Sequence, residues 1–137
     1  MLIQPHHLKE WTVGSGVREK ITRLNVQSLE VDHEIDEILN RNGKSRWKST
    51  DWGTGGWFVS GIDPKTGTET LTGGQFKPDQ PVVDRKYLGI NDSPAIPLFL
   101  NTGDRQYWKA VVDDNSPVII TEGAKKAGAL LTIGLPA

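Results

Sequence analysis

The sequence predicts an α+β chain arranged in three zones, and three observations carry that expectation. Residues 1–45 place apolar side chains at helical spacing. Residues 46–112 are rich in Gly, Thr and Trp and broken by prolines, as in a β-rich region. Residues 113–137 run from a short β-branched segment straight into a helix of small residues, an incomplete β-α unit.

In the first zone Ser15 precedes a helix whose Val17, Ile21 and Leu24 recur at i, i+4 and i+7. The capping box is incomplete, because Arg18 stands where a Glu would reach back. Asp32 reads as a second N-cap, with Glu34 in the first turn and Ile35, Ile38 and Leu39 on one face. Arg41-Asn42-Gly43 supplies a cation and a glycine as the stop.

The second zone changes character. Seven glycines and five threonines lie between Gly53 and Gly74, around an apolar centre of Trp57, Phe58 and Val59. Asp63-Pro-Lys-Thr-Gly67 has Pro and Gly where a tight turn needs them, which predicts a β-hairpin, and Gly73-Gly74 predicts a bend. Ile96–Leu100 reads as a strand, and Tyr107–Val112 as a strand or short helix. In the third zone Val118, Ile119 and Ile120 suit a strand buried on both faces. Glu122-Gly123 breaks that run, and Ala124–Leu131 reads as the following helix. A carboxylate so placed sits at the carboxyl edge of a sheet, where open α/β sheets bind ligands.

Composition bounds the function. At 137 residues the chain can bury roughly two-thirds of its unfolded surface as one domain or a domain plus a partial one. Sixteen basic against seventeen acidic residues give a net charge of −1, so overall charge does not favour nucleic acid. With no cysteine, disulfides and Cys-based zinc sites are excluded. No apolar run approaches the ~20 residues of a membrane span, and no secretory signal pattern opens the chain, so a soluble cytoplasmic protein is expected. His6, His7 and His33 show no metal-ligand spacing, and no metal is assigned to them.

Two groups of residues point to phosphate chemistry. Glu122 is either a reacting carboxylate or an exposed residue at a strand-to-helix turn. Gly123 lets the chain turn sharply and leaves backbone N–H groups open to a phosphate. Lys125 and Lys126 occupy a first helical turn, where the dipole disfavours cations. A bound anion explains that placement, and solvated surface lysines are the plainer alternative. The second group is Arg41, Lys44, Arg46, Trp47 and Lys48, four cations around an indole. Such a stretch grips a single strand and stacks a base, with Trp52 and Trp57 extending the platform, unless it is merely a solvated loop.

Pro117 to Ala127, with its apolar run, Glu122-Gly123 and Lys125-Lys126-Ala127, resembles the opening of a Toprim domain. The longer stretch 118–137 looks like a Toprim-like domain of unknown function in plasmid and phage replication proteins, notably cyanobacterial ones. His7-Leu-Lys-Glu10, Ser15-Gly16, Gly56-Trp57, Gly61-Ile-Asp-Pro64, Gln75-Phe-Lys-Pro-Asp79 and Lys86-Tyr87 are similar to upstream parts of that family. The resemblance implies Glu122 as catalytic carboxylate and metal ligand, Mg²⁺ as cofactor, and Lys86, with Arg85 beside it, near an incoming triphosphate. It implies primase-type nucleotidyl transfer on single-stranded DNA, with nucleotides as substrates and a helicase or ATPase module in the full-length protein. The Asp-x-Asp pair such a domain needs for Mg²⁺ occurs nowhere in the chain, so a truncated and catalytically inactive piece is expected. A non-catalytic strand-binding module, a Toprim-type nuclease and a carbohydrate- or partner-binding β module are the other readings.

Overall fold

The computed structural model describes residues 2–82 and 84–137. Among them are six α-helices and one antiparallel sheet of order β1-β2-β3-β4, an α+β fold. The strands are β1 (Val26–Leu29), β2 (Gly56–Ile62), β3 (Glu69–Pro78) and β4 (Leu88–Gly89). The helices are α1 (Pro5–Thr12), α2 (Glu19–Asn25), α3 (Asp32–Ile38), α4 (Ser49–Trp52), α5 (Tyr107–Asp113) and α6 (Ala124–Thr132), with a 3₁₀ turn at Gly43–Ser45.

β2 organises the molecule, and every one of its residues is buried. Its side chains alternate between two cores, as the two-residue period of a strand requires. Trp57 and Val59 face a core built from Trp11, Val17, Ile21, Leu100, Trp108 and Leu131. Phe58 points the other way, to Leu29, Ile35, Leu39, Trp47 and Phe76. The sheet is thus covered on both faces, which is why Gly-Trp-Phe-Val-Ser-Gly-Ile lacks the polar alternation of a half-exposed strand.

The expected hairpin forms. Gly67 donates to the Asp63 carbonyl at 2.8 Å, with the glycine at φ 69°, and the Asp63 carboxylate accepts from the Lys65 amide. The bend at Gly73-Gly74 is an irregularity of the β2–β3 ladder, since Val59 pairs with Gln75 but Gly61 with Thr70. Gly74 is required there because a Cβ would lie 2.3 Å from the Phe58 ring.

Several elements depart from expectation. The first zone is not wholly helical, because Val26–Leu29 pairs with β2 instead of prolonging α2. Ser15 does not cap α2, whose N-cap is Arg18, and Asp32 lies inside α3 behind Val31. Of the two forms expected for Tyr107–Val112, the helix is found. Ile96–Leu100 is extended but not a strand. It meets the sheet where β1 has ended, the Ile62 amide donating to the Phe99 carbonyl at 2.8 Å. Val118–Ile120 is likewise no buried strand. All three residues are exposed, Ile120 at 94 %, because no described strand runs alongside them. Glu122 therefore does not stand at the carboxyl edge of a parallel sheet. No described helix is long and apolar enough to cross a membrane.

Candidate functional site: a lysine-lined cleft over Trp57

The site begins with register. Trp57 and Lys77 are direct partners on β2 and β3, so their side chains share one face, with Gln75 two residues along on that same face. α1 lies across this face and presents His7, Glu10 and Trp11, spaced i, i+3 and i+4. The Glu10 carboxylate is the hub. It accepts from Lys77 at 2.6 Å, Lys125 at 2.9 Å and the Trp57 indole N–H at 3.0 Å. Burial pushes its carboxyl up, but the hydrogen bonds from Lys77, Lys125 and Trp57 and the charge of Lys77 outweigh this and bring it to about 2. Both lysine ammonium groups also lie 5.9 Å from the Trp57 ring centre.

Above this network opens a cleft of about 600 Å³. Five of the residues singled out in the sequence line it together: Lys86, Glu122, Gly123, Lys125 and Lys126, along with Tyr87, Trp57 and Gln75. They come from segments separated by more than 30 residues and are joined where α6 packs against α2 and Lys125 reaches Glu10. Tyr87 is 39 % exposed, with its ring 6.0 Å from that of Trp57. Lys86 lies 5.7 Å from the Tyr87 ring and makes no ion pair among the described residues. On the far side of the Glu122 turn an apolar groove of about 310 Å³ runs between Ile96–Leu100 and Val118–Ile120.

The anions that explain the lysines of α6 belong to the chain itself. Lys125 is held by Glu10 and Lys126 by Glu122, so each has an anionic partner within the chain. The two pairs differ in kind. Lys125 and Glu10 are mostly buried, whereas the side chains of Lys126 and Glu122 are 64 % and 79 % exposed, and an exposed pair opens at little cost. The hydrogen bond and charge of Lys126 lower the Glu122 carboxyl below its usual range. Gly123 is extended at φ −154°, and a Cβ there would meet nothing within 4 Å, so neither backbone nor packing demands glycine. What the structure provides at Gly123 is open space.

Mg²⁺ takes oxygen ligands from one or two carboxylates together with phosphate. Among the described residues Glu122 is the one carboxylate lining the cleft, and Lys126 engages it, so these residues do not by themselves make a Mg²⁺ site.

The second predicted cluster lies elsewhere. Trp47 is 4 % exposed and packs edge-on to Phe76, on the sheet face opposite Trp57. Its indole N–H donates to the Gly53 carbonyl and its amide to Asp36, so it offers no ring for stacking. Arg41 covers Trp47 and donates to the Ser45 carbonyl. Lys44, Arg46 and Lys48 are exposed and separate from the cleft. Trp57 is 1 % exposed, so the expected indole platform is core, and Tyr87 is the aromatic the cleft presents.

Sequence reasoning gave Glu10, Lys77 and Asp79 no role beyond family-like stretches and assigned no metal to His6 and His7, yet the ligand atoms of His6, His7 and Asp79 lie within 4.8 Å of one another. Only the register of β2 with β3 and the placement of α1 bring these residues together.

Residues 107–137 match the family model of a domain of unknown function, DUF3854. The chain is also 37 % identical, over 170 residues covering 96 % of its own length, to an uncharacterized protein of Picosynechococcus sp.. It spans 17 % of that relative's length. No solved structure matches the chain.

Proposed function

We propose that this chain forms the strand-binding wall of a cytoplasmic DNA replication protein of the primase class. In this reading single-stranded DNA lies along Lys86, Tyr87 and the start of α6, and the complete protein carries out nucleotidyl transfer with Glu122 at the reacting end. One observation carries the reading: Lys86, Tyr87, Glu122, Gly123 and Lys126 converge on a single cleft although three of the four lysines around it are already neutralised. Lys86 supplies a free cation, and Lys126 is released when a phosphate displaces Glu122. Tyr87 offers a ring on which a base stacks, worth about 1–3 kcal/mol. Glu10 holds Lys77 and Lys125 beneath, so the cleft floor is fixed before a strand arrives. With one carboxylate in the cleft, this chain alone binds strands and does not join nucleotides.

A salt series with fluorescent oligo(dT) tests the reading. With about two phosphate contacts, from Lys86 and the released Lys126, log K falls with a slope of about −1.4 against log salt, roughly a 7-fold loss between 50 and 200 mM. Lys86→Ala is expected to flatten the slope by about 0.7. Binding indifferent to salt, or a slope unchanged by Lys86→Ala, removes the support. Oligosaccharide binding indifferent to salt would instead favour a carbohydrate module.

A further inference from the structure

A second site lies on α1, one helical turn before Glu10 and outside the cleft. We propose that His6, His7 and Asp79 bind a divalent first-row transition metal ion of the Zn²⁺ type, through Nε2 of each histidine and a carboxylate oxygen of Asp79.

Three features carry this. First, the donors converge from segments far apart in sequence. His7 Nε2 lies 2.7 Å from Asp79 Oδ1 and His6 Nε2 lies 3.7 Å from Asp79 Oδ2, although Asp79 is 72 residues beyond His7. Second, consecutive helical residues point about 100° apart, yet the two imidazoles turn onto each other with ring centres 3.9 Å apart. Among the described residues both rings direct Nε2 to Asp79, one to each carboxylate oxygen. Third, His7 is oriented for ligation. Its side chain is 2 % exposed and its Nδ1 lies 2.6 Å from Ser28 Oγ, which also accepts the Gln4 amide at 2.7 Å. A metal-bound histidine characteristically donates its other ring N–H to an oxygen, and Ser28 stands ready to take that role.

The geometry needs small movements only. Ligands about 2.0–2.1 Å from a tetrahedral Zn²⁺ stand about 3.3 Å from one another. The His7–Asp79 contact opens slightly and the wider separations close. In the metal-free tautomer with its proton on Nε2, His7 donates to Asp79 and accepts from the Ser28 hydroxyl. With metal the proton moves to Nδ1, and the Ser28 hydroxyl turns to accept it. Two imidazoles and one carboxylate favour Zn²⁺ or Co²⁺ over Mg²⁺, which prefers oxygen alone. Solvent reaches the exposed His6 side, so water completes the coordination, and the ion ties α1 to the end of β3.

The test is calorimetric titration of tag-free, metal-stripped protein with Zn²⁺, paralleled by visible absorption with Co²⁺. The expected result is saturable 1:1 Zn²⁺ binding, with no comparable response to Mg²⁺. His6→Ala, which removes an exposed side chain and leaves the His7–Asp79 bond intact, is expected to weaken binding at least about tenfold. Asp79→Asn keeps an acceptor for His7 and is expected to weaken it similarly, and circular dichroism confirms that both variants fold. Absence of 1:1 binding, affinity unchanged in both folded variants, or equal affinity for Mg²⁺ overturns the proposal. None of these outcomes depends on DNA binding.

Discussion

Replacing Glu10 with Gln keeps the size of the side chain and removes the charge that Lys77 and Lys125 share. Moving a carboxyl from 4.5 to about 2 corresponds to roughly 3 kcal/mol in favour of its charged form. The side chain is 27 % exposed, so solvent screening reduces the expected contribution to about 1–2 kcal/mol. The folded-state value is the lower one, so this stability is complete above the unfolded value of 4.5 and is lost as pH falls through about 2. About half is gone by pH 3. Urea unfolding of wild type and Glu10→Gln across pH 7 to 3 reads it out, because the other carboxylates titrate in both proteins and cancel. At pH 7 the variant's midpoint is expected about 0.5–1 M lower, and the gap should narrow as pH falls below 5. A gap that stays constant from pH 7 to pH 3 would refute the ion network as the stabilising element.

Three other perturbations follow from the same geometry. Gly74→Ala places a Cβ 2.3 Å from the Phe58 ring and should cost about 2–4 kcal/mol, measured by thermal unfolding. Trp57→Phe keeps the aromatic core but removes the N–H donated to Glu10, and should cost about 1–2 kcal/mol at neutral pH by urea unfolding. Glu122→Gln breaks an exposed pair, so the melting temperature should hold while oligo(dT) binding at low salt tightens through the freed Lys126. A weakened complex would show that Glu122 contacts the strand directly.

Where local chemistry decides structure, the sequence is readable. The Asp63–Gly67 turn and the helix from Ala124 follow from Pro, Gly and small residues at fixed offsets, and both form. Where pairing decides, it is not. Val26–Leu29 lies in a zone whose spacing reads as helical overall, yet it becomes a strand by pairing with β2. Val118–Ile120 has the stronger β-propensity and no described partner, and strand propensity is realised only against a neighbour. The site divides in the same way. Glu122, Gly123, Lys125, Lys126 and Lys86 are visible as residue types and do share a cleft. Trp47 misleads because a ring among cations resembles a contact surface, while its N–H is satisfied internally and its faces are packed. Glu10 is silent in its own segment. Its role arises from the Trp57–Lys77 register and the position of α1.

Nitrogen-15 chemical-shift mapping with oligo(dT) at low salt tests the central claim most directly. The account predicts shifts concentrated at Lys86, Tyr87 and the backbone of 122–129, reversed by added salt, with the 41–48 loop little affected. Shifts confined to the 41–48 loop, or none at all, would contradict a strand-binding cleft over Trp57.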